Sequence, residues 1–140
     1  MHQLIQLLTM ALTVAQEAGG EPYQGKLAVA YVIRNRAKRS GKSYTDVCLK
    51  PWQFSCWNTD SPTREMLDVL GDTVFAECLR ATLAAAYLLE PDPTDGAIFY
   101  LNPDTVMATA GKLPDWWDID GDAASQKAIS RHLFRRHRLA

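Results

Sequence analysis

With 140 residues, 47 % hydrophobic and 22 % charged, the chain has enough apolar material for one folded domain, 1–140, and too little length to suggest a second. A formal charge of −1 excludes a chain-wide attraction to nucleic acid or to an anionic membrane, so any anion binding must be local. No apolar run reaches the roughly 18 residues of a membrane span, which argues against stable membrane insertion.

Met1 to Leu12, "MHQLIQLLTMAL", lacks the basic start and cleavage context of a signal peptide and reads as a folded helix. Apolar residues fall on nearly every side of Leu4–Ala18, which suggests a central helix. It ends on Glu17, and Gly19 and Gly20 are expected to supply a left-handed stop. Pro22 suits a helix start, and "GKLAVAYVIRNRAKRSGKS" reads as a second helix ending near Gly41, so the first two elements form a helix hairpin.

Tyr44 to Thr59, "YTDVCLKPWQFSCWNT", carries Pro51 among closely spaced aromatics and reads as an ordered loop with a short extended piece. Ser61 and Pro62 can start a short helix through Leu70. Asp72 can cap a longer one that Pro91 ends. Beyond it, Ala97–Leu101 is β-prone and is followed by a turn at Asn102 and Pro103. The expected partner strand is Ala128–Phe134, giving a small antiparallel ribbon. Between them "GKLPDWWDIDGDAASQ" is an acidic, aromatic loop.

Cys48, Cys56 and Cys78 lack the paired spacing of a zinc site. They read as buried thiols, with a Cys48–Cys56 bridge open in an oxidising compartment. The three histidines are scattered and form no His-Glu-x-x-His motif, so no metal is expected. The basic stretch "RHLFRRHR", 131–138, can attract phosphate-rich envelope polymers or lipid headgroups, but reads first as a solvated tail.

Glu17 shares a helical stripe with Met10 and Val14. Desolvation by such neighbours raises a carboxyl pKa, and a carboxyl protonated near neutral pH can act as a general acid. A solvated Glu at a helix end is the competing reading. Glu21 is the nearest second carboxylate in sequence, beside Pro22 where it can equally hold the turn.

The segments "QEAGGEPYQGKLAVAYVIRNR", "DVCLKPWQFSCWN", "GAIFYLNPD" and "HLF", in that order, resemble the cell wall hydrolase family of the spore-cortex-lytic enzymes, with its stand-alone bacterial and phage members. The resemblance implies an α+β, mainly helical, lysozyme-like domain that cleaves peptidoglycan glycan strands with one catalytic glutamate, matched here by Glu17. It implies no cofactor, and no nucleic-acid partner is expected because outside 131–138 the sequence offers no basic face with interleaved base-stacking aromatics. Within it, Gln53, Phe54 and Ser55 match a Gln-Phe-Ser loop suited to sugar contacts; Tyr100 and Asn102 match a Phe-Tyr-x-Asn-Pro segment, and His132 a late histidine. A lytic transglycosylase needs one carboxylate, whereas a hydrolytic muramidase normally uses two. The alternatives are such a muramidase and, from another class, a non-catalytic wall-binding or virion structural protein. Similarity to phage endolysins implies synthesis in the cytoplasm and delivery to the wall by another factor. Ser130 departs from the family, which usually has Gly before x-His-x-Phe.

Overall fold

The computed structural model describes residues 2–50, 63–114, 117 and 126–136. Among the described residues, five helices and three strands follow one another as α1 (His2–Ala18), α2 (Tyr23–Ser40), α3 (Tyr44–Leu49), α4 (Thr63–Ala86), β1 (Phe99–Leu101), α5 (Pro103–Ala110), β2 (Gln126–Ile129) and β3 (His132–Arg135). The result is a mainly helical fold with a small antiparallel sheet in the order β1-β3-β2.

α2 is the central element. Every residue from Gly25 to Ile33 is buried, whereas α1 buries its second half, Met10, Ala11, Thr13, Val14, Ala15 and Ala18, and leaves Leu4 and Ile5 about half exposed at 54 % and 50 %. Centrality, expected of α1, therefore belongs to its neighbour: α1 has a pattern apolar all round, but its first turns lie beyond the reach of the core. The turn from α1 to α2 also differs from expectation, because neither Gly19 nor Gly20 has positive φ. Instead the Glu21 N–H donates to the Ala18 carbonyl at 3.0 Å, and the Pro22 carbonyl accepts from Gly25 and Lys26 at 2.9 and 3.2 Å. α2 ends at Gly41, as its sequence suggests.

Residues 44–49, expected as loop, form α3. Ser43 caps it, its hydroxyl accepting from the Asp46 N–H at 3.1 Å, a local signal outweighed at the sequence level by the aromatics that follow. α4 is broken at Gly71, where φ is 77° and ψ 166°, a conformation open to glycine because it lacks Cβ. This matches the expected division into a short helix and a longer one. The second part stops at Ala86, five residues before Pro91. Leu88 takes φ 55° and the Leu89 N–H reaches back to the Ala84 carbonyl at 2.8 Å, the Schellman closure of a helix end. Asn102 does not sit in a simple turn but starts α5, its Oδ1 accepting from the N–H groups of Asp104 and Thr105 at 3.1 and 3.2 Å, with Pro103 in the first helical position.

The C-terminal strand is two strands rather than one. β2 and β3 pair as a hairpin across Ser130 and Arg131, in register Ala128↔Leu133 and Ile129↔His132, and β3 then pairs with β1, Tyr100↔Phe134. Ser130 has φ 56°, a positive value at the first loop residue, the position that a two-residue II′ turn normally gives to glycine. Cys48 and Cys78 are buried free thiols, pushed up to about 11 by desolvation, and Cys56 lies outside the described residues. Among the described residues no helix is long and apolar enough to cross a membrane.

Candidate active site

Three elements meet at Glu17. The side chain projects from the last turn of α1, between buried Val14 and Ala18, and is itself partly buried. Burial holds its carboxyl above the ordinary carboxylate range. A hydrogen bond from the Tyr100 hydroxyl on β1 and the positive charge of Arg36 on α2 act in the opposite direction. A carboxyl in this setting keeps its proton to higher pH than an ordinary one and, once it has given the proton up, is received as an anion by the hydroxyl and the guanidinium.

Arg36 and its neighbour Asn35 fix β1 relative to α2. The Arg36 Nε–H donates to the Ile98 carbonyl at 2.6 Å and its guanidinium lies 5.8 Å from the Phe99 ring centre. Asn35 Nδ2 donates to Asp92 Oδ2 at 3.0 Å and to the Ala97 carbonyl at 2.9 Å. Asp92 in turn organises its own loop, accepting from the Thr94 N–H at 2.8 Å, the Thr94 hydroxyl at 2.7 Å and the Gly96 N–H at 3.0 Å. The chain therefore enters β1 already held, and Tyr100 follows at a defined height beside Glu17.

The sheet register continues the cluster. His132 and Phe134 share a face of β3, being two residues apart, and Tyr100 lies opposite Phe134. The Tyr100 and His132 rings meet edge to face at 5.1 Å, and Tyr100 lies 5.6 Å from Phe134. On the far side, His132 Nδ1 is 3.4 Å from Glu21 Oε1, both side chains being almost fully buried. Burial lowers the His132 pKa and the Glu21 carboxylate only partly opposes it, so near neutral pH the imidazole is uncharged beside the carboxylate.

Gly25 allows this approach. A Cβ there would stand 2.9 Å from the Glu21 Cβ and 3.4 Å from the Ser130 Cβ, so the first turn of α2, the preceding turn and the β2–β3 hairpin meet only around a glycine. Lys26, buried next to it, donates through Nζ to the Glu21 carbonyl at 2.6 Å and lies 3.5 Å from Glu77 Oε2, securing the turn that carries Glu21.

Of the residues singled out in the sequence, Glu17, Tyr100, His132 and Glu21 form one continuous line of contacts. Asn102 caps α5, so its side-chain oxygen is committed to the backbone. Gln53, Phe54 and Ser55 lie outside the described residues. Arg36, Asn35 and Lys26 are the participants that sequence reasoning misses. Their signal is present: each is a polar residue inside or at the edge of the apolar run of α2, and Arg36 follows Val29, Val32 and Ile33 at helical spacing. Among the described residues no group of three or more His, Cys, Asp or Glu side chains is placed to hold a metal ion.

The cell wall hydrolase family matches residues 20–135 of this chain. The spore cortex-lytic enzyme of Halalkalibacterium halodurans is 32 % identical over 135 residues, covering 89 % of this chain and 33 % of that protein. The one from Oceanobacillus iheyensis is 31 % identical over 127 residues, covering 89 % and 39 %. The chain thus spans between a third and two fifths of the length of these relatives. Among solved structures, the catalytic domain of the germination-specific lytic transglycosylase SleB from Bacillus anthracis superposes with a TM-score of 0.66 at 28 % identity, covering 93 % of each chain. The catalytic domain of the Bacillus cereus SleB protein gives 0.64 at 26 % identity, covering 93 % of this chain and 88 % of the other. The fold is the lysozyme-like, lytic-transglycosylase-like one of these catalytic domains.

Proposed function

The chain belongs to the cell wall hydrolase family, and from that premise we propose that it cleaves the glycan strands of peptidoglycan as a lytic transglycosylase, with Glu17 serving first as acid and then as base. The observation that carries this reading is the environment of Glu17, a carboxyl desolvated on α1 with Tyr100 and Arg36 beside it. The family match begins at residue 20, so the assignment of Glu17 rests on that environment and on the likeness to a domain described as a lytic transglycosylase.

In the first step protonated Glu17 gives its proton to the glycosidic oxygen that links C1 of N-acetylmuramic acid to the next N-acetylglucosamine. The C1–O bond breaks and leaves positive character on the ring. In the second step the Glu17 carboxylate, stabilised by the Tyr100 hydroxyl and the Arg36 charge, takes the proton from the C6 hydroxyl of the same muramic acid. The C6 oxygen bonds to C1 and closes a 1,6-anhydro ring. Glu17 ends as it began, protonated, and no water is consumed. Holding the nucleophile on the reacting sugar supplies a high effective concentration and removes the need for a second carboxylate to activate water. Glu21 has a different place, its carboxylate standing 3.4 Å from His132 Nδ1 where the hairpin meets the turn after α1.

Glu17→Gln keeps the size of the side chain and removes its proton. Clearing of permeabilised cells or of a peptidoglycan zymogram is expected to fall by about 10² or more, the low end of general-acid contributions, with an unchanged circular dichroism spectrum. Gln53→Ala, in the Gln-Phe-Ser loop, is expected to reduce it less. Activity of Glu17→Gln within a few-fold of wild type would remove Glu17 from the reaction. Folded, inactive wild type would favour a non-catalytic wall-binding role.

A further inference from the structure

An open cleft of about 630 Å³ lies toward the other end of α1 from Glu17, between the first turns of α1, the last turns of α2 with the approach to α3, and the end of α4. From Gln6, which lines it, to Glu17 the helix rises about 16 Å at 1.5 Å per residue. Arg34, Lys38 and Lys42 line the cleft and no aspartate or glutamate does. None of the three cations has an ion-pair partner among the described residues.

The uncharged polar groups of the cleft are turned the same way. The Tyr44 N–H donates to Gln6 Oε1 at 3.2 Å, which occupies the amide oxygen and leaves its Nε2 hydrogens for a ligand. Gln3 Nε2 donates to the Tyr87 hydroxyl, which leaves the tyrosine proton to donate. A wall of cations and hydrogen-bond donors, in a chain whose formal charge is −1, suits an anion. The absence of a lining carboxylate also separates the anions from one another. A peptide carrying both ammonium and carboxylate groups would leave its ammonium unmatched, whereas a phosphodiester chain is negative at every repeat. The volume lies within the range of sites for drug-sized ligands and accommodates more than one such repeat.

We propose that this cleft binds an anionic phosphodiester polymer of the cell envelope, of the polyglycerol phosphate type, and so holds the protein on the wall independently of the glycan at Glu17. The choice of the envelope as the source rests on the cell-wall reading above. The binding itself is independent of that reading.

The test uses the full chain and fluorescently labelled glycerol phosphate oligomers, with binding followed by anisotropy. Wild type is expected to bind, and its affinity to fall about 20- to 40-fold between roughly 50 and 200 mM salt, as counterion release by about three contacts requires. Lys38 and Lys42 are exposed, so Lys38→Gln/Lys42→Gln is expected to fold normally and to bind about tenfold more weakly. Arg34→Gln provides a second, single-site loss. Glu17→Gln is expected to bind as wild type does, and because no cleavage is read, failure of the glycan-cleavage reading leaves this result untouched. Wild type that ignores the oligomers, or a double variant that binds them equally well, overturns the proposal. Binding to phosphatidylglycerol vesicles without binding to the oligomers also overturns it, by moving the ligand from a wall polymer to membrane lipid.

Discussion

The burial that favours the protonated form of Glu17 has a consequence for stability as well as for the proposed activity. Its folded pKa lies above the ordinary 4.5 because of burial. A group of this kind contributes fully below its unfolded pKa and loses that contribution as pH rises through the folded value. Glu17→Gln never ionises, so its unfolding midpoint is expected to rise relative to wild type as the pH is raised above 4.5, the ordinary value of the carboxyl. Calorimetry at several pH values checks this, and a gap that is flat or narrows with pH would mean that Glu17 ionises without penalty. Tyr100 acts on the same equilibrium in the opposite sense, since its hydrogen bond favours the carboxylate. In Tyr100→Phe the alkaline limb of the pH–rate profile is expected to move to higher pH while the maximal rate falls about tenfold, the worth of one hydrogen bond to a charged group. A limb that stays in place or moves down would show that the hydroxyl does not set the proton affinity of Glu17. Glu17 is legible in the sequence because an acid at the end of an apolar stripe is a local pattern. Arg36 is not, because the carbonyl that fixes it is 62 residues away and no periodicity within one helix reports such a contact.

The β2–β3 hairpin and the start of α2 interlock, and two residues set how closely they approach. Gly25→Ala puts a methyl group 2.9 Å from the Glu21 Cβ and is expected to destabilise the protein by about 1–3 kcal/mol, the usual cost of overpacking, with activity falling as the His132 contact is displaced. Ser130→Gly relieves the left-handed serine and is expected to stabilise by about 0.5 kcal/mol, once the larger unfolded-state entropy of glycine offsets part of the relief. Urea unfolding of both variants checks the pair; a neutral Gly25→Ala or a destabilising Ser130→Gly would contradict the described packing. The elements that sequence reads well are those with local boundaries, such as α2 between Pro22 and Gly41 and the break at Gly71. It reads poorly where a short cap competes with composition. Ser43 and Asn102 each start a helix in stretches that look like loops, and the hairpin hides inside what reads as one strand because its turn uses Ser130 instead of the glycine that would mark it.

At the scale of the molecule, α2 is buried along most of its length, and the features with chemical potential sit toward opposite ends of α1: a desolvated carboxyl beside a tyrosine at one, a cationic cleft at the other. The mainly helical architecture is legible from hydrophobic periodicity, and the order of short motifs points to the family that residues 20–135 match. The desolvation of Glu17 by its own helix is legible, whereas the placing of Arg36 beside it is not, because that depends on how α1, α2 and β1 pack together. The central claim is that this one carboxyl cleaves glycan without activating water. Mass spectrometry of muropeptides released from purified peptidoglycan in ¹⁸O-labelled water tests it most directly. The account predicts ends in 1,6-anhydro-N-acetylmuramic acid, one water lighter than the hydrolytic product and free of label, produced by wild type and lost with Glu17→Gln. Reducing muramic acid ends carrying ¹⁸O would contradict it and call for a second carboxylate.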